Sequence, residues 1–503
     1  MIANRCCDTE MIRVLALTFL ASCLNAVFAA PSPAMDVSLR VTLGDDRGQP
    51  LGSLFEARDN QGHVVAGAGF YDAHATYLRD HNRQVVFFVK TASPQPTITN
   101  LGKPFGPENN GTRIQVVGDK LVAFHRAGNA VAFQTLNAGD TWTPYDGVWT
   151  GTANAFGGIQ LVDNKKLVFE GSRIRYDGVV VYESKLGSGR YYYSGGKLFL
   201  YHGNPDRLYV VAWAPGDVVL LETADGFDIV GNVFTYGTYN NEVLITTNVG
   251  EFYSYSDGSL TTHRTTDGKS WQGYSMLQFY EQVLIGHYPS GSLYVYDGDG
   301  LRPFVPPLPV PKNVSANARE VQTLAVYGGD LYVGVWPWGE VWRFDRETEA
   351  WTLVGRVFNR PEMTKDDQEP FARAMKDKPA PYNYWGQRVT SLTNFGDSLY
   401  IATMNKQGKP LLPEHDFLDD VTVSQYGAIH KLHVPGQITA SFEWKDQSTF
   451  RFVAEEETVA IFQDGTLLGR ASSGDTSRLN GTTSMEIGTG IYGPLRGTAE
   501  LLP

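Results

Sequence analysis

The sequence predicts an all-β chain, a β-propeller with a small C-terminal β module, and three observations carry that reading. A hairpin pattern recurs along most of the 503 residues. No stretch before or between the hairpins keeps a 3.6-residue period. Aromatic residues reach 12% and glycines number 53, while charged residues are only 19%. Aromatic and β-branched side chains suit a pleated, half-buried surface, and glycine supplies the turns between strands.

Residues 1–30 read as an export leader. Arg5 and Arg13 precede an apolar run from Val14 to Ser22, and Val27-Phe28-Ala29 ends in a small residue suited to cleavage. Met11 is an alternative start. The run is too short to persist as a membrane span. Leu20-Ala21-Ser22-Cys23 also resembles the bacterial lipoprotein cleavage box, which would put a lipid anchor on Cys23 and the protein on the outer membrane. Secreted or periplasmic release is the first reading. All three cysteines, Cys6, Cys7 and Cys23, lie in this leader, so the mature chain is expected to hold no disulfide, cysteine nucleophile or thiolate metal site. No cofactor is expected. The 42 basic and 54 acidic residues leave a formal charge of −12, which argues against a nucleic-acid partner.

The recurring unit is an apolar alternation, a tight turn of Gly, Asp or Asn, and a Leu/Val-rich strand. It runs from Ile114 to Leu121, Ile159 to Leu167, Tyr191 to Leu198, Phe234 to Val243, Leu277 to Val283, Leu324 to Leu331 and Leu392 to Leu399. The second-strand anchors are 46, 31, 45, 40, 48 and 68 residues apart. Most of these match one four-stranded blade of about 40–50 residues. The interval of 31 reads as a blade whose two hairpins both fit the pattern, and that of 68 contains the proline- and charge-rich insertion from Arg360 to Tyr384. A hairpin from Leu54 to Val64 would open the set. Residues 35–435 thus read as a seven-bladed propeller, with six or eight blades as alternatives. The proline-rich run from Arg302 to Lys312 reads as a stiff connection between blades.

Between hairpins, Thr265-Thr266-Asp267-Gly268-Lys269-Ser270-Trp271 resembles the Asp-box of sialidase-like propellers, with weaker relatives at Asn137–Trp142 and Thr223–Phe227. Such an Asp caps a tight turn and its aromatic residue wedges between blades, a folding device rather than a catalytic one. After Val434-Pro435-Gly436 the character changes. The segments Phe462–Gly469 and Met485–Gly497 resemble the closing strands of a laminin-G/concanavalin-type jelly roll, so residues 437–503 read as a partial or reduced jelly-roll-like β module, with closing strands or an extra blade as the alternative.

No nucleophile elbow, HExxH, P-loop or dinucleotide fingerprint occurs, and the ten histidines are never spaced as metal ligands. Three polar clusters remain: His125-Arg126, the tyrosines from Tyr191 with Tyr201, His202 and Arg207, and His263-Arg264. The bland reading of each is a rim charge or cross-strand packing. Together they suit an acidic polysaccharide. A cation neutralises a uronate carboxylate, and a base and an acid then expel the 4-linked sugar by β-elimination.

In order and spacing these residues resemble the propeller-fold polysaccharide lyases that cleave ulvan, a sulfated algal polysaccharide containing uronic acid. The resemblance implies Tyr191 as base and acid, His125 as its partner, and Arg207 and Arg264 as the carboxylate clamp. Two features depart from that family: no histidine occurs between 125 and 202, leaving Tyr145 as a stand-in, and the family's cysteine-ligated zinc cannot be built. The first expectation is therefore an exported lyase for uronate-containing glycans. The alternative is a non-catalytic glycan- or protein-binding propeller at the cell surface, with Trp336 and Trp338 exposed for sugar stacking. A sialidase-type hydrolase is the third, although Ser172-Arg173-Ile174-Arg175-Tyr176 lacks the proline of the usual arginine motif.

Overall fold

The computed structural model describes residues 34–75, 78–91, 95–127, 130–145, 158–204, 206–263, 272–312, 314, 319–363, 385–415 and 418–503. Strand accounts for 58% and helix for 4%, an all-β chain with the repeated four-strand sheets of a propeller. Six separate sheets each comprise four consecutive antiparallel strands. Their first strands are Arg113–Val117, Ile159–Val162, Gly189–Ser194, Val233–Tyr239, Gln272–Phe279 and Glu320–Tyr327, hereafter the inner strands of sheets 1 to 6. A further set, sheet 7, comprises Arg388–Phe395, Ser398–Met404 and Ile429–His433, and its fourth strand is Thr97–Asn100 from the other end of the chain, with Leu432 opposite Ile98.

Polar side chains on or beside the inner strands tie each sheet to the next. Gln115 Nε2 donates to the Ile159 carbonyl (3.4 Å), and the Gln160 amide both donates to the Tyr193 carbonyl (3.0 Å) and accepts from the Tyr193 amide (2.9 Å). The Tyr236 hydroxyl donates to Arg190 O (3.1 Å), Thr246 to Gly273 O (2.9 Å), Ser275 to Val321 O (3.2 Å) and Thr323 to Val389 O (3.5 Å). Thr390 donates to Thr112 O (2.7 Å), which returns to sheet 1 and closes the ring. Sheets approach most closely where glycine allows it. A Cβ on Gly334 of sheet 6 would lie 2.6 Å from Val389 Cγ1 of sheet 7.

The remaining strands form a sandwich built from both ends of the chain. One sheet runs Thr466–Ser472, Thr458–Gln463, Gln447–Ala454, Met35–Thr42, Thr498–Leu501. The other pairs Thr482–Ile487, Ser53–Asp59, Val64–Ala75, Leu78–Val89 and Gln437–Ser441. Alternate residues of both enclose one core that includes Leu39, Phe55, Phe87, Phe450 and Phe452. Three readings are corrected by these pairings. The propeller does not begin at residue 35, because Met35–Thr42 pairs with Gln447–Ala454, Met35 opposite Ala454. The hairpin at Leu54–Val64 exists but belongs to the sandwich. The C-terminal module is not confined to 437–503, since the N-terminal strands complete it. The interval of 31 has a simpler cause too: sheet 2 has short strands of 4, 6, 4 and 5 residues.

Two sandwich strands, Val64–Ala75 and Leu78–Val89, continue out of that core along the ring axis. Their far end pairs with the inner strand of sheet 7, His74 opposite Leu392 and Ala75 opposite Ser391. Along the way they touch the inner strands of sheets 1, 2, 4, 5, 6 and 7. The axis is therefore occupied by this hairpin.

The two ends of the ring differ. At one, the turns that join first and second strands in all seven sets meet the sandwich. Ser441 donates to Gly118 O (2.6 Å), the Asn164 side chain exchanges hydrogen bonds with Trp444 (3.1 and 2.7 Å), and Gly196 N donates to Arg47 O (2.9 Å). Arg496 donates to Asn241 Oδ1 (3.1 Å), Tyr280 N to Ile491 O (3.0 Å), Gly328 N to Gln437 Oε1 (2.6 Å) and Thr439 N to Gly396 O (2.7 Å). This is the turn face. At the opposite end, the loop face, the inner strands begin and the chain passes from sheet to sheet.

Candidate site at the loop face

Four consecutive inner strands carry a β-bulge beside the loop face. The register skips Phe234, Tyr274, Gln322 and Thr390 in sheets 4 to 7. A bulge re-aims the side chain of the extra residue, and here it does so at the same level in successive sheets.

An arc of rings follows. The Arg190 guanidinium lies 5.4 Å from the Phe234 ring centre, Phe234 is 5.3 Å from Tyr274, Tyr274 6.5 Å from Tyr288, and Tyr288 6.2 Å from Trp336. Arg388, the first residue of the sheet 7 inner strand, closes the arc 5.4 Å from Trp336. Ring centres at 4.5–7 Å in tilted or edge-on geometry are favourable, as are cations over ring faces. Tyr274 and Trp336 are buried, while Arg190, Phe234 and Tyr288 are half-buried and form the accessible edge.

Behind Arg388 lies a set of buried charges. Arg388 pairs with Glu320 at 2.7 Å, and Gln322 donates to the same Glu320 oxygen (2.6 Å). Arg319 pairs with Glu340 at 2.6 Å, and the Trp342 indole donates to Glu340 (2.7 Å). Buried charges persist only when paired and hydrogen-bonded, and these are. Lys406, half-buried, follows two residues after Met404, which lies opposite Arg388 in the register of sheet 7. Burial, and then the Arg388 charge, lower its pKa. Burial and the neighbouring Glu320 raise the Tyr288 pKa, with Arg388 acting against them.

The residues expected from the sequence do not meet here as a group. His125 donates from Nδ1 to Gly111 O (2.8 Å) and lies against Phe105; burial lowers its pKa. A Cβ on Gly408 would be 3.7 Å from the His125 ring, so His125 lies beside the segment that carries Lys406. Tyr191 is enclosed in the core of sheets 2 and 3, near Phe169 (6.2 Å), Tyr182 (5.8 Å) and His202 (5.8 Å), and burial raises its pKa strongly. Sheet 2 separates it from His125. Arg207 lies on the third strand of sheet 3, over Tyr209 and 3.5 Å from Asp228, whose side chain is 92% exposed. That pair sits on the outer part of the sheet, away from the axis. Arg264 and the Asp-box at 265–271 lie outside the described residues.

Other motifs fall as follows. In Asn137–Trp142, Asp140 occupies a turn and accepts from Lys431 at 3.2 Å, while Asp225 and Phe227 lie within the strand Asp225–Asp228, so Thr223–Phe227 is no turn motif. Arg173 and Arg175 are engaged by Glu183 (2.6 Å) and Glu170 (2.9 Å) on sheet 2. Trp336 and Trp338 are 3% and 2% exposed, which corrects the expectation that they face solvent: both are packed beneath the rim by Arg388 and Arg356. Sequence reasoning missed the arc. Its only trace is an aromatic or polar residue directly ahead of each apolar alternation. Among the described residues no group of three or more acidic or histidine side chains is placed to hold a metal, and no helix is long and apolar enough to cross a membrane.

No family model matches this chain, and no curated protein matches it. Among solved structures it is similar to YCF48 from Cyanidioschyzon merolae, at 11% identity and a TM-score of 0.40 over 67% of this chain and 98% of that one. It is also similar to BamB from Moraxella catarrhalis, at 14% identity and a TM-score of 0.28 over 72% of this chain and 85% of that one. A third is the computationally designed Ika8 protein, at 10% identity and a TM-score of 0.37 over 78% and 99%. The first two are propeller-type folds. Likeness at this level carries no argument about chemistry, which rests on the geometry above.

Proposed function

We propose that this protein is an exported, seven-bladed propeller that binds acidic polysaccharide at the loop face without cleaving it. The single observation that carries the reading is the arc from Arg190 to Arg388, a run of rings bounded by cations along the rim of the axis. Sugar rings stack their C–H groups on aromatic faces, and a cation beside the stack selects anionic sugars. Global charge does not oppose this, because a local cationic cluster dominates within the ~8 Å screening length at physiological salt.

The β-elimination expected from the sequence needs His125, Tyr191, Arg207 and Arg264 around one sugar ring. Tyr191 inside a core and Arg207 on an outer strand favour binding over that chemistry. Titration calorimetry with polygalacturonate, ulvan and neutral dextran tests the reading. Saturable binding of the acidic polymers with no rise in unsaturated-uronate absorbance is the expected result. Absorbance that grows with time would restore the lyase, and absence of binding to all acidic polymers would remove both.

A further inference from the structure

The rim residues divide unevenly between charges that are neutralised and charges that are not. Glu320 Oε2 already accepts from both Arg388 and Gln322, and Glu340 Oε2 from both Arg319 and Trp342. Arg356 donates to three neutral oxygens, those of Trp338 (2.9 Å), Pro361 (3.0 Å) and Gln387 Oε1 (2.9 Å). For Lys406, no carboxylate lies within ion-pair distance among the described residues. Burial and Arg388 disfavour its charge.

The fold holds Lys406 in place from two sides. It opens a short turn, Lys406–Gly408, that follows the second strand of sheet 7. Asn405 Nδ2 and Asn110 Nδ2 both donate to Lys409 O (2.9 and 3.3 Å), and Asn405 N donates to Asn110 O (2.9 Å). Asn110 and Asn405 are 2% and 0% exposed. The ammonium group is thus carried by a turn pinned to sheet 1, beside a guanidinium that Glu320 keeps from rotating.

We infer that Lys406 and Arg388 form the anion subsite of the proposed glycan site, where Lys406 contacts a carboxylate or sulfate on the sugar ring and Arg388 is the positioning residue. The inference rests on the binding reading above and names the charged group that reading leaves unspecified. An anion there supplies the ion-pair partner that Lys406 lacks among the described residues, and a half-buried setting strengthens the contact relative to open solvent. Neutral glycans would meet only the rings. Tyr288 and Phe234 would then take the sugar residue on the sheet 4–5 side of the anionic one.

The test uses the full chain, its Lys406→Gln and Lys406→Arg variants, and three probes: oligogalacturonate (carboxylate only), dextran sulfate (sulfate only) and neutral dextran of matched length. Lys406→Gln should weaken oligogalacturonate or dextran sulfate binding about tenfold. It should also flatten the salt dependence of that affinity, leave neutral-dextran affinity unchanged, and fold as the parent does. Lys406→Arg should restore most of the loss. Whichever anionic probe responds identifies the group. Equal affinity of Lys406→Gln and parent for both anionic probes would overturn the subsite while the binding reading stands. Absence of binding by the parent to every probe would overturn both.

Discussion

The two ends of the ring are made from the same repeated hairpins yet behave as different materials. The turn face consists of two-residue turns, each satisfied by a sandwich partner, and is backed by buried ion pairs. Lys90, for example, lies 2.9 Å from Asp330, with Glu347 and Asp345 at 3.7 and 3.9 Å. The loop face carries bulges, a cation without an ion pair among the described residues, and histidines at strand ends (His125, His202, His263, His430) whose pKa burial lowers. Both ends hold buried ion pairs, Arg388–Glu320 and Arg319–Glu340 at the loop face among them, and what separates the ends is that the sandwich ties down the turns of one and not the bulges of the other. A ring that holds its blades in register and, on the proposed reading, leaves a binding rim exposed solves both requirements by separating them.

Four changes would break or sharpen that division. Lys90→Met, at the turn face, leaves buried Asp330 with Arg343 alone, at 3.6 Å, removes the ammonium from Glu347 and Asp345, and should cost about 3–5 kcal/mol in chemical denaturation, with glycan affinity unaltered. Acid should act at the other end. His430 is buried and its pKa is lowered to about 4. Below the ordinary histidine value near 6.5 the unfolded chain takes up a proton that the folded chain refuses, so stability falls as pH drops from about 6.5 toward 4 and is regained on raising it, by about 3 kcal/mol for this residue. Hydrogen exchange at pH 5 should accordingly open strand ends at the loop face before the turn face.

A third change tests the ring between the two ends. Gln160→Leu strands both the amide and the carbonyl of Tyr193 and should cost about 2 kcal/mol, read as a lower denaturation midpoint. The smallest effect on stability belongs to the rim. Tyr288→Leu keeps an apolar side chain at a half-buried position but removes the ring, and should change stability by under about 1 kcal/mol while weakening acidic-glycan binding about threefold to tenfold. If it instead unfolded the protein and left binding intact, the functional division of the two ends would fail.

The propeller was legible because its signal is local. An apolar alternation, a Gly, Asp or Asn turn and a second strand are complete within about a dozen residues, and the turns at Gly118, Asn164, Gly196, Asn241, Gly328 and Gly396 fall where the pattern placed them. The sandwich was not legible. Met35–Thr42 has the alternation of any half-buried strand, and nothing in it announces a partner at Gln447–Ala454, some 400 residues on. Registers between distant strands are set by which faces bury together, and composition does not report that. The same limit hid the site. Phe234, Tyr274, Tyr288 and Trp336 are unexceptional one by one, and only ring closure sets them side by side. Tyr191 misled for the opposite reason: tyrosines in a strand read equally well as a site or as packing, and here the neighbouring sheet encloses it.

The central claim is that acidic glycan is held at the loop face by the arc and its cations. Hydrogen exchange with and without saturating oligogalacturonate measures this directly. The account predicts slowed exchange confined to the loop-face ends of the first and second strands of sheets 3 to 7 and to residues 404–409, with the sandwich unchanged. Protection on the sandwich sheet that contains Met35–Thr42, with none at the loop face, would contradict it.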